Sequence, residues 1–386
     1  MPWELLKDIA NMKTYNVGIL GFGFIGKVHA FAHQTIPYYY PRADFRTRIT
    51  HIGTSSRETA RRGCEQIQVG AAVADYREIT ENPEVDIVHI CTPNHLHRDM
   101  LLSAIQNNKH IYCDKPLTAT TAEAAQIKDA LTGYTATAQM TFQCRFFPAT
   151  LRAAQLTKDG FLGDVHEFRT AYLHSGSATP DTPLKWKLSA KYGGGVIADL
   201  GAHVFDLVQA LLGDFDRLTA ASRVAYSRRP AADDPNRMEK VEAEDSFSVI
   251  ARMKNGACGV MEASKTATGA EDELRFELHG SRGAIRFNSM QPHHLQVYDA
   301  GIPDKPLGGM KGWTVVDCGQ RYPESSFPGP KFSIGWIRAH VASLYSFLDN
   351  VSKGKAGKPG FDQGIYIQHV IERVRESARL GEWVDV

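Results

Sequence analysis

The run NVGILGFGFIGKVHA at residues 16–30 constrains this chain more than any other. Gly21, Gly23 and Gly26 follow an apolar, β-like stretch and open a helical pattern. In that setting the first glycine permits a tight turn, the second lets the backbone approach a pyrophosphate, and the third lets helix and strand pack closely. Phe24 and Ile25 stand at the helix start, where free N–H groups and the helix dipole meet an anion. A strand–glycine turn–helix unit of this kind predicts a dinucleotide site.

The pattern around the turn supports that reading. β-rich stretches at 15–20, 49–53, 85–91, 110–113 and 135–140 alternate with helical segments such as 25–33, 57–66 and 97–107. Apolar strands alternating with helices predict a parallel sheet covered on both faces. From about residue 164 strands of alternating polarity follow without intervening helices; Leu274, Phe276 and Leu278 mark one apolar face, as in an antiparallel sheet. The expected organisation is therefore α/β plus α+β: a dinucleotide-binding domain over 1–142 and an α+β domain over 143–386. A Gly/Lys/Pro segment at 353–360 precedes a last helix over about 362–380, and no internal repeat is visible. The length of 386 residues suits two or three domains.

Composition excludes several classes. Lys and Arg number 44 against 43 Asp and Glu, so no broad basic field exists to collect nucleic acid or an anionic membrane. No run reaches the ~18 consecutive apolar residues of a membrane helix. The start, MPWELLKDIANMKTYN, has no apolar core of the secretory kind, so a cytoplasmic location is expected; residues 1–11 are read as an arm or an overlong start without function. Cys64, Cys91, Cys113, Cys144, Cys258 and Cys318 show no paired spacing and are expected to be reduced. His293 and His294 lack a partner at ligand spacing, so no metal site is expected.

Three further stretches carry candidate chemistry. After the second strand stand Thr54, Ser55, Ser56 and Arg57, where an NAD enzyme usually has an acidic residue. Hydroxyls beside a guanidinium suit a 2′-phosphate, which favours NADP over NAD; alternatively a serine caps the next helix and Arg57 is solvated. The segment TIPYYYPRADFR reads as an insertion before this strand, with Tyr38, Tyr39 and Tyr40 as packing residues. Two later strands run into Thr92, Pro93, Asn94 and His95, and into Asp114, Lys115 and Pro116, at the sheet edge where ligands bind in open α/β folds. Lys115, fixed by the proline turn, suits hydrogen bonding to a reacting oxygen. In GGGVIADLGAHVFD, Asp199, His203 and Asp206 share one helical face, and carboxylate plus imidazole make a proton-handling pair.

Together GFGFIG, CTPNHLH, DKP and GGGVIADLGAHVFD, in this order, resemble the Gfo/Idh/MocA family of NAD(P)-dependent sugar and polyol oxidoreductases. Within it FIGKVHAFAH, PLKWKL and the run from EDELRFELHGSRGAIRFN to GW are most similar to the levoglucosan-dehydrogenase type. The resemblance implies an N-terminal Rossmann domain and a C-terminal domain whose large, open antiparallel sheet joins subunits into a homodimer or homotetramer. It also implies that Lys115, Asp199 and His203 form the catalytic trio, acting on a carbohydrate hydroxyl. The family's EKP is DKP here, and its acidic residue after the second strand is absent. Arg145, Tyr172, His174, Trp186 and Lys187 are candidate substrate contacts, because aromatic faces beside polar groups suit a sugar. Two other readings share these motifs: a redox-neutral glycoside hydrolase or lyase with tightly held NAD, and a non-catalytic nucleotide sensor.

Overall fold

The computed structural model describes residues 12–386; the reading of 1–11 lies outside the described residues. The first sheet has six strands: β1 (Lys13–Leu20), β2 (Phe45–Gly53), β3 (Ala71–Val73), β4 (Ile87–Ile90), β5 (His110–Asp114) and β6 (Ala138–Thr141). They lie in the order β3-β2-β1-β4-β5-β6, all parallel. Val17, Ile19, Ile87, Val88, Ile90 and Ile111 are buried, which explains the continuous apolar runs: both faces are covered. The connecting helices are α1 (Phe24–Tyr39), α2 (Arg57–Ile67), α3 (Arg77–Thr80), α4 (His97–Gln106) and α5 (Thr121–Ala130). The strand order reverses between β1 and β4, and that switch point opens the ligand crevice.

The segment read as an insertion is no separate insertion. Residues 35–39 prolong α1 past Pro37, because Ile36 continues the buried face of Ala32 and His33. Tyr40 is also buried and stacks on Tyr345 at 3.6 Å.

The chain then forms α6 (Pro148–Lys158), β7 (Val165–His174), α7 (Ala202–Leu212), β8 (Phe215–Arg223) and a ribbon of β9 (Arg228–Pro230) with β10 (Met238–Lys240). There follow β11 (Ser246–Met253), β12 (Cys258–Ser264), β13 (Asp272–Gly280), β14 (Gly283–Asn288), β15 (His294–Asp299), β16 (Trp313–Asp317), α8 (Trp336–Ser352), α9 (Phe361–Leu380) and β17 (Val384–Asp385). Nine of these strands make one sheet, β16-β15-β14-β13-β7-β12-β11-β8-β17. It is antiparallel except at its centre, where β7 and β12 run parallel. The exception arises because the chain leaves β7 through α7 and returns beside it only after β8 and β11. Phe247, Val249, Ala251 and Met253 of β11 face inward into a core shared with α7 and α9, and Ser248, Ile250 and Arg252 face outward. The stretch Ala190–Leu212 is apolar and long enough to cross a membrane, yet 83% of its most apolar window is buried inside the protein.

Helix α8, absent from the sequence reading, crosses back to the first sheet. Val341, Leu344, Phe347, Leu348 and Val351 pack into one core with Tyr15, Val17, Ile19, Ile87 and Tyr112. The Tyr112 hydroxyl donates to Ser343 Oγ at 2.7 Å, and its ring stacks on Phe347. Between α1, β4 and α8 lies a buried layer of imidazoles. His89 Nδ1 is 3.0 Å from His29 Nδ1, its Nε2 is 3.1 Å from His33 Nε2, and His340 lies beside them.

Candidate active site

The three glycines of the first turn occupy three different environments. Gly21 has φ +89°, and a Cβ there would stand 2.5 Å from the Cys91 carbonyl oxygen; one at Gly26 would stand 2.0 Å from that of Gly21. Those two glycines serve the fold. A Cβ at Gly23 would meet nothing within 4 Å, so this position borders open space. Gly23 caps α1 without a side-chain hydrogen bond, and the first turn has no acidic residue. Free amides and an uncompensated dipole thus face a cradle that fits a pyrophosphate. Ile25 is half-buried behind it, while Phe24 is exposed and has Trp336 of α8 at 5.6 Å.

The groups expected to meet a 2′-phosphate are otherwise engaged. Ser56 caps α2 by accepting from the Thr59 amide, Thr54 Oγ1 donates to the Ser56 carbonyl at 2.9 Å, and Arg57 pairs with Glu78 at 3.0 Å. Only Ser55 remains exposed and without a hydrogen bond. The geometry therefore follows the capping alternative, and the lean to NADP has no structural support.

At the C-terminal ends of β4 and β5 the polar residues are tightly bound to one another. Pro93 leads into a short 3₁₀ turn, Asn94–Leu96. His97, buried, places its ring nitrogens 2.9 Å from the Thr92 carbonyl and 3.1 Å from that of Pro116, bracing both crevice loops. Asn94 is buried and donates to the Gly193 carbonyl at 2.8 Å, while His95 packs on Tyr192 at 4.7 Å. Asn94 thus ties the first unit to the second, which differs from a direct cofactor contact. Burial raises the pKa of Asp114, whose Oδ1 has no partner.

Lys115, from the first sheet, meets Asp199, from the second unit. Asp199 lies in a π-turn, Ile197–Gly201, that leads into α7; such turns recur at functional sites. Lys115 Nζ donates at 2.6 Å to both the Oδ1 and the main-chain oxygen of Asp199. Two more ammonium groups face the other carboxylate oxygen: Lys265 at 3.0 Å and Lys187 at 3.7 Å from Oδ2. Burial would raise the Asp199 pKa, but Lys115, then Lys265 and Lys187, hold it well below the usual carboxylate range. Burial likewise opposes the charge on Lys115, yet Asp199 and Asp114 raise its pKa.

His203 is buried one turn further on, with Tyr172 and Phe142 rings 5.9 and 6.2 Å away. Burial, then the Lys115 cation, drive its pKa well below the ordinary value, so the ring is neutral. No hydrogen bond joins it to Asp199, and its Nδ1 has no partner. The expected carboxylate–imidazole pair is thus not made, because the lysines draw the carboxylate the other way. Asp206, on the same face, instead accepts from Arg145 Nε at 2.6 Å and from Gln363 at 3.0 Å.

Tyr172 donates to Asp272 Oδ1 at 2.7 Å. Trp186 is half-buried in a 3₁₀ turn with the Lys187 ammonium 5.6 Å from its ring centre. His174 accepts from the Gly176 amide within its own loop. His293 and His294 pack together, and no metal-binding group of three His, Cys, Asp or Glu occurs among the described residues.

Model matches divide the chain in the same sense as its sheets. Residues 15–142 match an oxidoreductase-family NAD-binding Rossmann fold, and 154–386 match the C-terminal alpha/beta domain of the same family. The chain belongs to the Gfo/Idh/MocA family. Levoglucosan dehydrogenase of Pseudarthrobacter phenanthrenivorans is 30% identical, over 97% of this chain and 99% of that one. A solved levoglucosan dehydrogenase in complex with NADH and L-sorbose has a TM-score of 0.92, with 97% and 99% of the two chains covered. Inositol 2-dehydrogenase of Rhizobium meliloti is 26% identical, over 91% and 93%. Lys115, Asp199 and His203, the trio the family resemblance implies, lie together, whereas Arg145 is turned to Asp206.

Lys265 escaped the sequence reading, although one signal was present. Met261 and Ala263 point inward in the alternation of β12, and Lys265 occupies the next inward position, where a lysine is out of place.

Proposed function

We propose that the protein oxidises a secondary hydroxyl of a sugar, anhydrosugar, glycoside or inositol to a ketone, or catalyses the reverse reduction. The observation that carries this reading is the 2.6 Å bond joining Lys115 of the first sheet to Asp199, one helical turn before the buried His203. When bound, the nicotinamide supplies a hydride acceptor at C4. His203 takes the hydroxyl proton as general base. Lys115 has three N–H bonds; two reach Asp199, and the third serves the reacting oxygen and stabilises its developing charge. Asp199 fixes Lys115, and Tyr172 and Trp186 flank the sugar. In reduction the same residues act with His203 as acid.

NAD is the cofactor this reading favours, since Thr54, Ser56 and Arg57 are engaged within the protein. The exposed outer face of the nine-stranded sheet, carrying Ile250 and Val260, suits the contact of a homodimer or homotetramer.

The test incubates the protein with NAD+ and NADP+ separately against monosaccharides, anhydrosugars, inositols and glycosides, following reduced nicotinamide. Net formation of NADH or NADPH supports oxidation; sugar conversion without either points to redox-neutral cleavage. His203→Ala and Lys115→Ala should bind dinucleotide but lose roughly 100- to 10,000-fold in turnover. Wild-type turnover in either variant overturns the assignment.

A further inference from the structure

Asp199 has a second buried partner that the proposed oxidation does not use. Lys265 is only 8% exposed, and its Nζ donates to the Lys187 carbonyl at 3.2 Å besides facing Asp199 Oδ2 at 3.0 Å. Burying an ammonium in this way is costly, and a leucine or methionine would suit the inward face of β12 better. The surroundings are nonetheless built to hold it. The Lys265 amide donates to the Asp245 carbonyl, and its own carbonyl accepts from Ser177, both at 2.9 Å. Asp245 and Arg229 form a fully buried ion pair at 3.5 Å, and Arg229 donates to the carbonyls of Ser177 and Thr179. The buried pair therefore pins both chain segments that fix the Lys265 backbone.

The result is a carboxylate with Lys115 on one oxygen and, on the other, Lys265 at 3.0 Å with the more exposed Lys187 behind it at 3.7 Å. We propose that Lys265 is a positioning residue of this site: by holding Oδ2 it keeps the Asp199 carboxylate turned toward Lys115 and away from His203. Asp199 and His203 are one helical turn apart, a spacing at which side chains meet. With Oδ2 released, the carboxylate swings to the imidazole, and an adjacent anion favours the imidazolium. A protonated His203 cannot accept the substrate proton. The charged and titratable groups around His203 are Lys115, Asp199, His340, Lys187 and Tyr172; those around Lys265 are Asp199, Lys187 and Lys115. Of these, Lys265 touches only Asp199 Oδ2 and the Lys187 carbonyl, so its removal acts on the base through Asp199.

This inference rests on His203 as the base of the proposed oxidation, and its test has one arm that needs no turnover. The His203 imidazole is titrated by NMR in full-length wild-type protein, Lys265→Met and Lys265→Arg. Lys265→Gln replaces the methionine variant if the latter does not fold. The His203 midpoint should rise by at least about one pH unit in the uncharged variants and return toward wild type in Lys265→Arg. In parallel, the acid limb of kcat/KM for a substrate found in the panel should move up by a similar interval, with dinucleotide affinity unchanged. A folded uncharged variant whose His203 midpoint stays in place overturns the proposal, as does Lys265→Arg titrating like Lys265→Met. A wild-type protein that reduces no nicotinamide while the NMR shift appears sinks the oxidation reading and leaves the positioning role standing.

Discussion

The side-chain amide of Asn94 donates to the carbonyl of Gly193 at 2.8 Å, across 99 residues of sequence. Gly193 has φ +72° and opens the segment that delivers Asp199, while Asn94 sits on the crevice loop after β4. This bond sets how the two halves of the site face each other. Asn94→Ala should lower kcat/KM by about 100-fold, the effect of a displacement near 1 Å, while dinucleotide affinity changes only a few-fold. Steady-state kinetics with a binding titration check this; unchanged kcat/KM refutes it.

The glycines of the first turn should separate folding from binding. Gly23→Ala enters open space at φ −78°, a conformation alanine accepts, so the fold should persist. The methyl group occupies the anion cradle, and dinucleotide affinity should fall by about tenfold or more. Gly26→Ala places a carbon 2.0 Å from the Gly21 oxygen and should reduce thermal stability sharply. Thermal melts and cofactor titrations on the pair decide it; equal losses in both properties for both variants contradict the division.

Arg145 and Asp206 should behave as a structural unit. Asp206 is 1% exposed, and burial raises its pKa in spite of Arg145. Arg145→Met strands that carboxylate with Gln363 alone and should destabilise by about 3–5 kcal/mol. Adding Asp206→Asn should recover most of the loss. Denaturant unfolding measures both steps, and a double variant as unstable as the single one rules the coupling out. A raised KM in the recovered double variant would return Arg145 to the substrate.

The imidazole layer should make the protein acid-sensitive. Burial drives His29 and His89 well below the ordinary value, and His33 and His340 down to about 3. Below about pH 6.5 the unfolded chain binds protons that the folded state refuses, so stability is full above that pH and is lost as pH falls toward 3. Each buried histidine contributes up to about 1.4 kcal/mol per pH unit in this window. The Tm should drop steeply between roughly pH 6.5 and 5; a level Tm there contradicts the reading.

The legible parts of the molecule were those written in local pattern. Gly21, Gly23 and Gly26, the buried strands and the inward alternation at Leu274, Phe276 and Leu278 each follow from spacing within a few residues. The meeting of Lys115 with Asp199 was legible through family motifs, since nothing local links residues so far apart. Lys265 was missed because only the parallel pairing of β7 with β12 brings it under Asp199. Helix α8 has a readable stripe, Val341, Leu344, Leu348 and Val351, but Gly335 opens it without a side-chain cap and its first turn has no acidic residue, so no start signal marks it. The lean to NADP lacks support for another reason: a list of side chains does not show that Ser56 and Arg57 have partners within the protein.

The docking of α8 onto the first sheet makes one flank of the nucleotide-binding half depend on distant sequence, as the Tyr112–Ser343 bond shows across 231 positions. Val17, Ile19, Ile87 and Tyr112 of the first sheet are covered by Val341, Leu344, Phe347 and Leu348, which stand far along the chain from them. The nucleotide-binding half therefore does not close its own apolar flank; the later part of the chain closes it. A fragment ending at residue 142 would lack that cover and is expected to associate through the exposed apolar surface, not to stand as a free module.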